Sequence, residues 1–254
     1  AEAGKPLVVI DPGHGGVDTG ASGVSGLVEK EVVFDFARDL ARKLRATGQF
    51  RVAMTRESDV FVPLDERVTI ARGQGAALLV SIHADSIKQA AGVAGATVYT
   101  VSDRASDAEA ARVAESENSA DRAAGVDATE ASGEVADILF DLTRRETRAF
   151  AHLYSRTLIG YLGKATKLNK NPARSAGFKV LKAPDVPSVL LELGYLSSEK
   201  DAQALASPEW RDRATTSVSQ SISAFLARGG DKESGPDAAG AVAASAVAEG
   251  SQRR

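Results

Sequence analysis

The sequence predicts a single α/β domain built on a mainly parallel sheet of about six strands, with helices covering both faces. Short β-branched runs alternate with helical stretches of about ten or more residues. One of those runs, from Ala77 to His83, is apolar on both faces, as a central parallel strand requires. The length of 254 residues and a hydrophobic fraction of 43% are enough for one substantial core, and the charged fraction of 26% is ordinary for a globular chain.

The elements follow in order. Leu7-Val8-Val9-Ile10-Asp11 is stopped by Pro12-Gly13 and reads as a buried strand, with a glycine-rich loop running on to Gly26. A helix is expected from about Val28 to Thr47, where Val32, Val33, Phe36, Leu40 and Leu44 recur at helical spacing before Gly48. Phe50–Met54 reads as a second strand, and Pro63 opens a short helix that ends before Gly73. Ala77–His83 and Gly95–Val101 follow as strands. A long helix is expected from about Glu134 to Leu162, then strands at Phe178–Leu181 and Ser188–Leu193. Pro208 starts a last helix to about Arg228. The domain is therefore expected to span 1–228, and the small and polar residues of 229–254 read as a disordered low-complexity tail.

Composition removes several function classes. Zero cysteines exclude a disulfide scaffold, thiolate metal sites and cysteine nucleophiles. A net charge of −3 argues against a dedicated nucleic-acid binder. No window resembles a transmembrane span, and the N-terminal stretch AEAGKPLVVID lacks the pattern of a signal peptide. The loop DPGHGG lacks the Gly-Lys-Ser/Thr of a phosphate-binding loop. Charge is uneven: Ser102–Thr147 holds 12 acidic residues against five arginines, a local −7 that leaves +4 for the rest. An acidic insert of about 102–147 sits on a mildly basic body.

Two of the three histidines fall where strands end. His14 lies just past the first strand and His83 closes the third, on the sheet edge where open parallel sheets bind ligands. Each alone reads as a loop or core histidine; together, with no cysteine, they suit a borderline metal such as zinc. Glu29 opens the first long helix, and Glu192 ends an almost wholly apolar strand, where a carboxylate needs an ion-pair partner or a catalytic use. Two histidines and a carboxylate are the protein ligands of catalytic zinc hydrolases, and a further carboxylate would serve as base. The spacings of 15 and 54 residues match no compact local motif. His152 reads as a surface or packing residue. Arg56 and Arg67 read as salt-bridge partners, and Arg174 is open between a structural and a substrate-binding role.

Six blocks in order narrow the reading: VVIDPGHGGVDTGASG, LVEKEVV, MTRESDVFVPLDERV, ALLVSIHADS, GATVYTVS and KVLKAPDVPSVLLELGYLSSEKD, spanning about Val8 to Asp201. Together they resemble the zinc-dependent N-acetylmuramoyl-L-alanine amidases of bacterial cell-wall remodelling. The resemblance implies one zinc held by His14, Glu29 and His83, with Glu192 as the catalytic carboxylate and Asp85 as an additional or outer contact. It names the scissile bond as the amide joining the lactyl group of N-acetylmuramic acid to L-alanine of the peptidoglycan stem peptide. It also implies a monomer acting in the periplasm or cell envelope of a Gram-negative bacterium, in daughter-cell separation. Family members more often read E-T/S-G-F where this chain has Glu192-Leu-Gly-Tyr, a difference expected to touch the substrate pocket and not the carboxylate.

Ser106 to about Ala124 in the insert has a strongly helical composition. At ~100° per residue, Glu109, Val113, Glu117, Ala120 and Ala124 share a quadrant flanked by Ala110 and Ala114, while Glu115 points away with Arg112 and Arg122. A carboxylate on a packing face needs a cation, either an arginine on the neighbouring surface or the zinc itself. The division-type subgroup of the amidases carries an autoinhibitory helical insert here, which implies that Glu117 contacts the metal. Val135, Ile138, Leu139 and Leu142 form a second apolar stripe. It suits packing against the body or docking of an activator, implied to be a LytM-like protein binding around Ile138 and Leu142. With so few apolar residues in the first half, the metal contact is expected to supply much of the docking energy. Two other readings are a zinc carboxypeptidase acting on stem peptides and a non-catalytic wall-binding module.

Overall fold

The computed structural model describes residues 4–23, 26–86, 93–126 and 138–230. Its elements are β1 (Leu7–Pro12), α1 (Glu29–Ala46), β2 (Arg51–Met54), α2 (Leu64–Gly73), β3 (Leu78–His83), β4 (Ala96–Val101), α3 (Ala108–Asn118), α4 (Ala120–Ala123), α5 (Ile138–Leu162), β5 (Leu168–Ala176), β6 (Ser188–Glu192), α6 (Glu199–Leu205) and α7 (Pro208–Gly230). The six strands form one sheet in the order β2-β1-β3-β6-β4-β5. All pairings are parallel except β4 with β6.

Strand alternation distributes the core. Val8, Ile10, Val80, Ile82, Val189 and Leu191 point to the face covered by α1, α5 and α7, where Phe36, Leu40, Leu44, Tyr154, Leu158, Val218 and Ile222 meet them. Complete burial of Phe36, Leu40 and Leu44 contributes about 1.5–3 kcal/mol each. Leu7, Val9 and Leu79 face α2 on the other side. There too, Tyr99 and Leu190 pack against Ala110, Val113 and Ala114 of α3. His83 and Glu192, register partners across β3 and β6, have the same parity as Leu79 and Leu190 and so belong to that second face.

Two expected features take a different form. Phe178–Leu181 is not a strand; Lys179–Leu181 is a 3-10 turn, and the strand runs instead from Leu168 to Ala176. That strand is polar and contains Pro172, which hides it in a hydrophobicity reading. It forms because β5 is an edge strand paired only with β4, and the register shift between Ala96 and Val98 absorbs the proline. The helix expected over Ser106–Ala124 breaks at Ser119 into α3 and α4. Helix α6 was not legible from periodicity, although Ser198 caps it by accepting the Asp201 N–H. The start of the long helix before Ile138, Val135, and nearly all of the 229–254 tail lie outside the described residues.

Beneath the site, Asp11 ends β1 wholly buried. Its oxygens accept from Arg67 Nη1 at 2.8 Å, Thr55 Oγ1 at 2.6 Å and Ser81 Oγ at 2.6 Å. Burial opposes the charge, but Arg67 and the two hydroxyls outweigh it and hold the carboxyl below its usual range. The corresponding stability is present at neutral pH and lost as pH falls through that depressed value. Arg67→Leu is expected to destabilise the fold by about 3–5 kcal/mol in chemical denaturation, because Asp11 is left buried and unpaired. Breaking the exposed Arg72–Asp185 pair with Arg72→Ala should cost under about 1 kcal/mol; equal losses would contradict this assignment.

Candidate metal centre

The loop after β1 is shaped by its carbonyls. Arg67 donates to Pro12 O and His14 O, and Arg56 donates to Pro12 O, Gly13 O, Ser58 O and Lys30 O. Burial and the neighbouring Arg67 pull Arg56 down to about 10, which leaves it charged at neutral pH. These donors hold His14 at φ 59°, a left-handed conformation unfavourable for a side-chain-bearing residue. Gly13 is required because a Cβ there would lie 2.3 Å from His83 Cε1. At Gly20, φ 65°, a Cβ would meet both Glu29 Oε2 and His14 Cδ2 at 2.7 Å.

The same loop substitutes for a helix cap. Val28 gives α1 no side-chain cap; Ala21 O and Thr19 O accept the first N–H groups, of Glu29 and Lys30. Glu29 is thereby drawn inward, 1% exposed, with Oε2 accepting from Ala21 N and Oε1 from Ala84 N, both at 2.8 Å. Burial opposes its charge, yet His14 and His83 hold the carboxyl well below its usual range.

His14 and His83 pack edge to face with ring centroids 5.0 Å apart. Asp18 Oδ2 lies 2.8 Å from His14 Nδ1 and, being an acceptor, places the proton of the neutral ring there, so that Nε2 is the nitrogen available to a metal. His14 Nε2 stands 3.1 Å from Glu29 Oε1 and 3.5 Å from Glu117 Oε2. His83 Nδ1 stands 3.4 Å and 2.9 Å from the same two oxygens. Among the described residues, neither nitrogen has a properly directed hydrogen bond. Although burial opposes charge on it, Glu117 and Glu29 push the His83 imidazole up to about 10, and Glu29 and Glu117 raise His14 similarly in direction.

Glu117 arrives from α3. Ala110, Val113, Ala114 and Glu117 form its buried face while Glu115 is exposed, which is the helix phase the sequence predicts. Further anchors hold it: Asp107 caps α3, Arg174 pairs with Asp107 and Glu109, and Asn118 bonds the backbone of Gly177 and Lys179. Asp121 Oδ1 accepts the Leu64 N–H at the start of α2.

His14, Glu29, His83 and Glu117 thus offer four ligand atoms within 4.8 Å of one another, all buried. A tetrahedral zinc with ligands at about 2.0–2.1 Å separates its ligand atoms by about 3.3 Å, and the four cross-distances above bracket that value. Two imidazole lone pairs, two carboxylates and an unpaired nitrogen on each ring fit such an ion. Asp85 lines the same cleft but contributes no atom to the group; its N–H donates to Glu192 Oε2 at 3.0 Å. Burial, then Glu117 and Glu29, push the Asp85 carboxyl up to about 7. Glu192 is completely buried at the end of β6, with Oε1 free of hydrogen bonds among the described residues.

The sequence profile of the N-acetylmuramoyl-L-alanine amidases matches residues 8–224. The chain belongs to this family. It is 37% identical over 224 residues to the amidase AmiA of Escherichia coli K12, covering 88% of this chain and 77% of that protein. With AmiC of Escherichia coli O6:H1 it shares 37% identity over 229 residues, covering 89% of this chain but 54% of the relative. The amidase chain therefore spans about half the length of that relative. Among solved structures, AmiC2 of Nostoc punctiforme superposes with a TM-score of 0.62 at 28% identity, covering 89% of this chain and 99% of that one. The family is one of peptidoglycan hydrolases, and the amidase chain is an enzyme of that class.

Within this amidase, the structure brings His14, Glu29, His83 and Glu117 together and sets Glu192 and Asp85 beside them. Arg67 is the expected salt-bridge partner, whereas Arg56 binds carbonyls rather than a carboxylate. Arg174 is structural, and exposed His152 contacts Thr100 Oγ1 at 3.3 Å. Asp18 escaped the sequence reading; a carboxylate four residues after His14 was its signal. Asp18→Ala is expected to weaken zinc binding about 10–100-fold in competition with a chelating dye, with the fold retained by circular dichroism. Unchanged affinity would show that Asp18 does not orient His14.

Proposed function

We propose that the domain hydrolyses the amide between the lactyl group of N-acetylmuramic acid and L-alanine of the stem peptide. One zinc is held by His14, Glu29 and His83, and Glu117 closes the site in the described conformation. The observation that carries this reading is the buried four-atom group, with one member supplied by the insert. When bound, zinc polarises the scissile carbonyl and acidifies the attacking water.

Glu192 is the proton carrier in this reading. Burial foremost raises its carboxyl well above the usual range; His83 pulls it down, and the charges of Asp85, Glu117 and Glu29 push it up. As the ionised carboxylate, a group so placed takes a proton from the nucleophile, and its raised proton affinity lets it hold that proton until it is returned to the leaving amine. The Asp85 N–H orients it through Oε2 and leaves Oε1 for the transfer. Asp85 then acts as an outer support of the site.

A catalytic zinc site keeps one position open, and a fourth protein ligand fills it. Glu117 is that ligand, so the insert of about 102–147 is a regulatory element. A preference of ~3 kcal/mol for the closed arrangement leaves under ~1% of molecules open. Opening falls to an activator of the LytM-like type docking around Ile138 and Leu142; Leu142 is 55% exposed near the start of α5. The setting is the periplasm of a Gram-negative bacterium, in daughter-cell separation. No described helix is long and apolar enough to cross a membrane.

Glu117→Ala is expected to raise basal hydrolysis of purified cell wall at least several-fold, and Glu115→Ala, on the exposed side, to leave it unchanged. Adding Glu192→Gln to Glu117→Ala should retain zinc while turnover falls ~100-fold or more. If Glu117→Ala matches the parent, the site is not closed through this carboxylate. Near-normal turnover with Glu192→Gln would move the base elsewhere.

A further inference from the structure

We propose that Arg174, a partner of the insert in the described conformation, binds a carboxylate on the third residue of the stem peptide once the insert has left. Asp107 and Glu109 occupy that anion seat until then. The proposal rests on the reading of the domain as an amidase covered by its insert, and adds the residue that recognises the leaving peptide by charge.

The guanidinium is divided between two sets of partners. Nε donates to Asn171 O at 3.1 Å and Nη2 to Asn169 Oδ1 at 3.2 Å, both within β5. Asn169 is itself buried and fixed, accepting the Asn171 N–H at 3.0 Å and donating to Ala94 O at 3.3 Å. Nη1 faces the insert, 2.8 Å from Glu109 Oε1 and 3.2 Å from Asp107 Oδ1. The side chain is 5% exposed, and among the described residues both of its ion-pair partners are insert carboxylates. Lifting the insert leaves a guanidinium held by its own strand, with one nitrogen presented and its counter-charge removed. A cation in that position calls for another anion, and the hold from β5 means that little ordering is needed to bind one.

Two independent relations set its distance from the metal group. Glu109, at Arg174, and Glu117, at His14 and His83, stand two turns apart on the covered side of α3, which separates their carboxylates by about 12 Å. Across the sheet, Arg174 pairs with Tyr99, Tyr99 with Leu190, and Thr97 with Glu192. Arg174 and Glu192 therefore share a face, two strands and two residues apart, which is again about 12 Å. Tyr99 lies between them, under α3.

The substrate offers a carboxylate at that distance on one side only. The acid of N-acetylmuramic acid is its lactyl carboxyl, and the scissile amide consumes it, so the glycan side has none. On the other side, about 12 Å is the reach of three to four extended residues at about 3.3–3.6 Å each. That span brings the carboxylates of the third stem residue to Nη1 when the scissile amide is at the metal group.

The test compares two ligands on the full chain carrying Glu117→Ala and Glu192→Gln, which favours the open site and stops turnover. One is soluble N-acetylmuramic acid bearing a stem tripeptide whose third residue has free carboxylates; the other is the same molecule with those carboxylates amidated. By calorimetry the acid should bind about tenfold or more tightly than the amide, the effect of one charge-assisted hydrogen bond. Arg174→Gln should bring the two affinities to within about twofold of each other. Docking of the insert competes with both ligands alike, so an Arg174 that only anchored α3 would move both affinities and leave their ratio unchanged. Arg174→Lys keeps the charge but not the fork that β5 holds; it should cut the ratio at least about threefold, and decides the matter if Arg174→Gln does not fold. N-acetylmuramoyl-L-alanine is too short to reach Arg174, and its acid-to-amide ratio should be the same in all variants. Equal affinities of acid and amide in the starting variant, a ratio unmoved by the Arg174 substitutions, an equal shift with N-acetylmuramoyl-L-alanine, or no binding of the tripeptide ligand would each overturn the proposal. Zinc content and the wall hydrolysis of Glu117→Ala report separately on the reading beneath it.

Discussion

Two carboxylates buried beside two imidazoles require positive charge, and the rest of the structure is arranged around that requirement. Glu29 and Glu117 are 1% and 5% exposed, and among the described residues His14 and His83 are their only ion-pair partners. Against the cost of burial, Glu117 and Glu29 favour the protonated imidazole and push His83 up to about 10. A dication meets the same need without a proton, and its binding is coupled to proton release. The left-handed His14, the glycines at 13 and 20, and the arginine contacts to loop carbonyls all serve to bring donor atoms to this one point.

The insert is docked by a mixture of forces. Ala110, Val113 and Ala114 join Tyr99, Phe178 and Leu190 in a buried cluster, so apolar burial contributes more than the insert's composition suggests. Arg174, Asn118 and Asp121 add anchors at β5, at the turn following it and at the start of α2. The Glu117 carboxylate is therefore one contact of several. Undocking α3 has to offset all of them together, and their contributions need not add because they share one rigid helix.

Much of this was legible in the sequence because it depends on pattern. Strand alternation, the Phe36-Leu40-Leu44 stripe and the phase that turns Glu117 inward and Glu115 outward follow from periodicity alone. His14, Glu29, His83 and Glu192 stand out because polar residues at the ends of apolar runs need a reason to be there. Only the resemblance implies ligand roles for His14, Glu29 and His83 and a catalytic one for Glu192, since spacings of 15 and 54 residues carry no local signature. What stayed hidden depends on tertiary context. Polar β5 exists only as an edge, Arg56 finds carbonyls that no linear pattern announces, and Asn118 acquires meaning only beside Gly177 and Lys179.

The central claim is that Glu117 shares a metal with His14, Glu29 and His83. X-ray absorption at the zinc edge of the full chain, loaded with one equivalent, measures that directly. Two imidazole nitrogens and two carboxylate oxygens are expected at about 2.0–2.1 Å, with one protein oxygen replaced by solvent in Glu117→Ala. An unchanged first shell in Glu117→Ala, or a parent spectrum with solvent already bound and a single carboxylate, would contradict it.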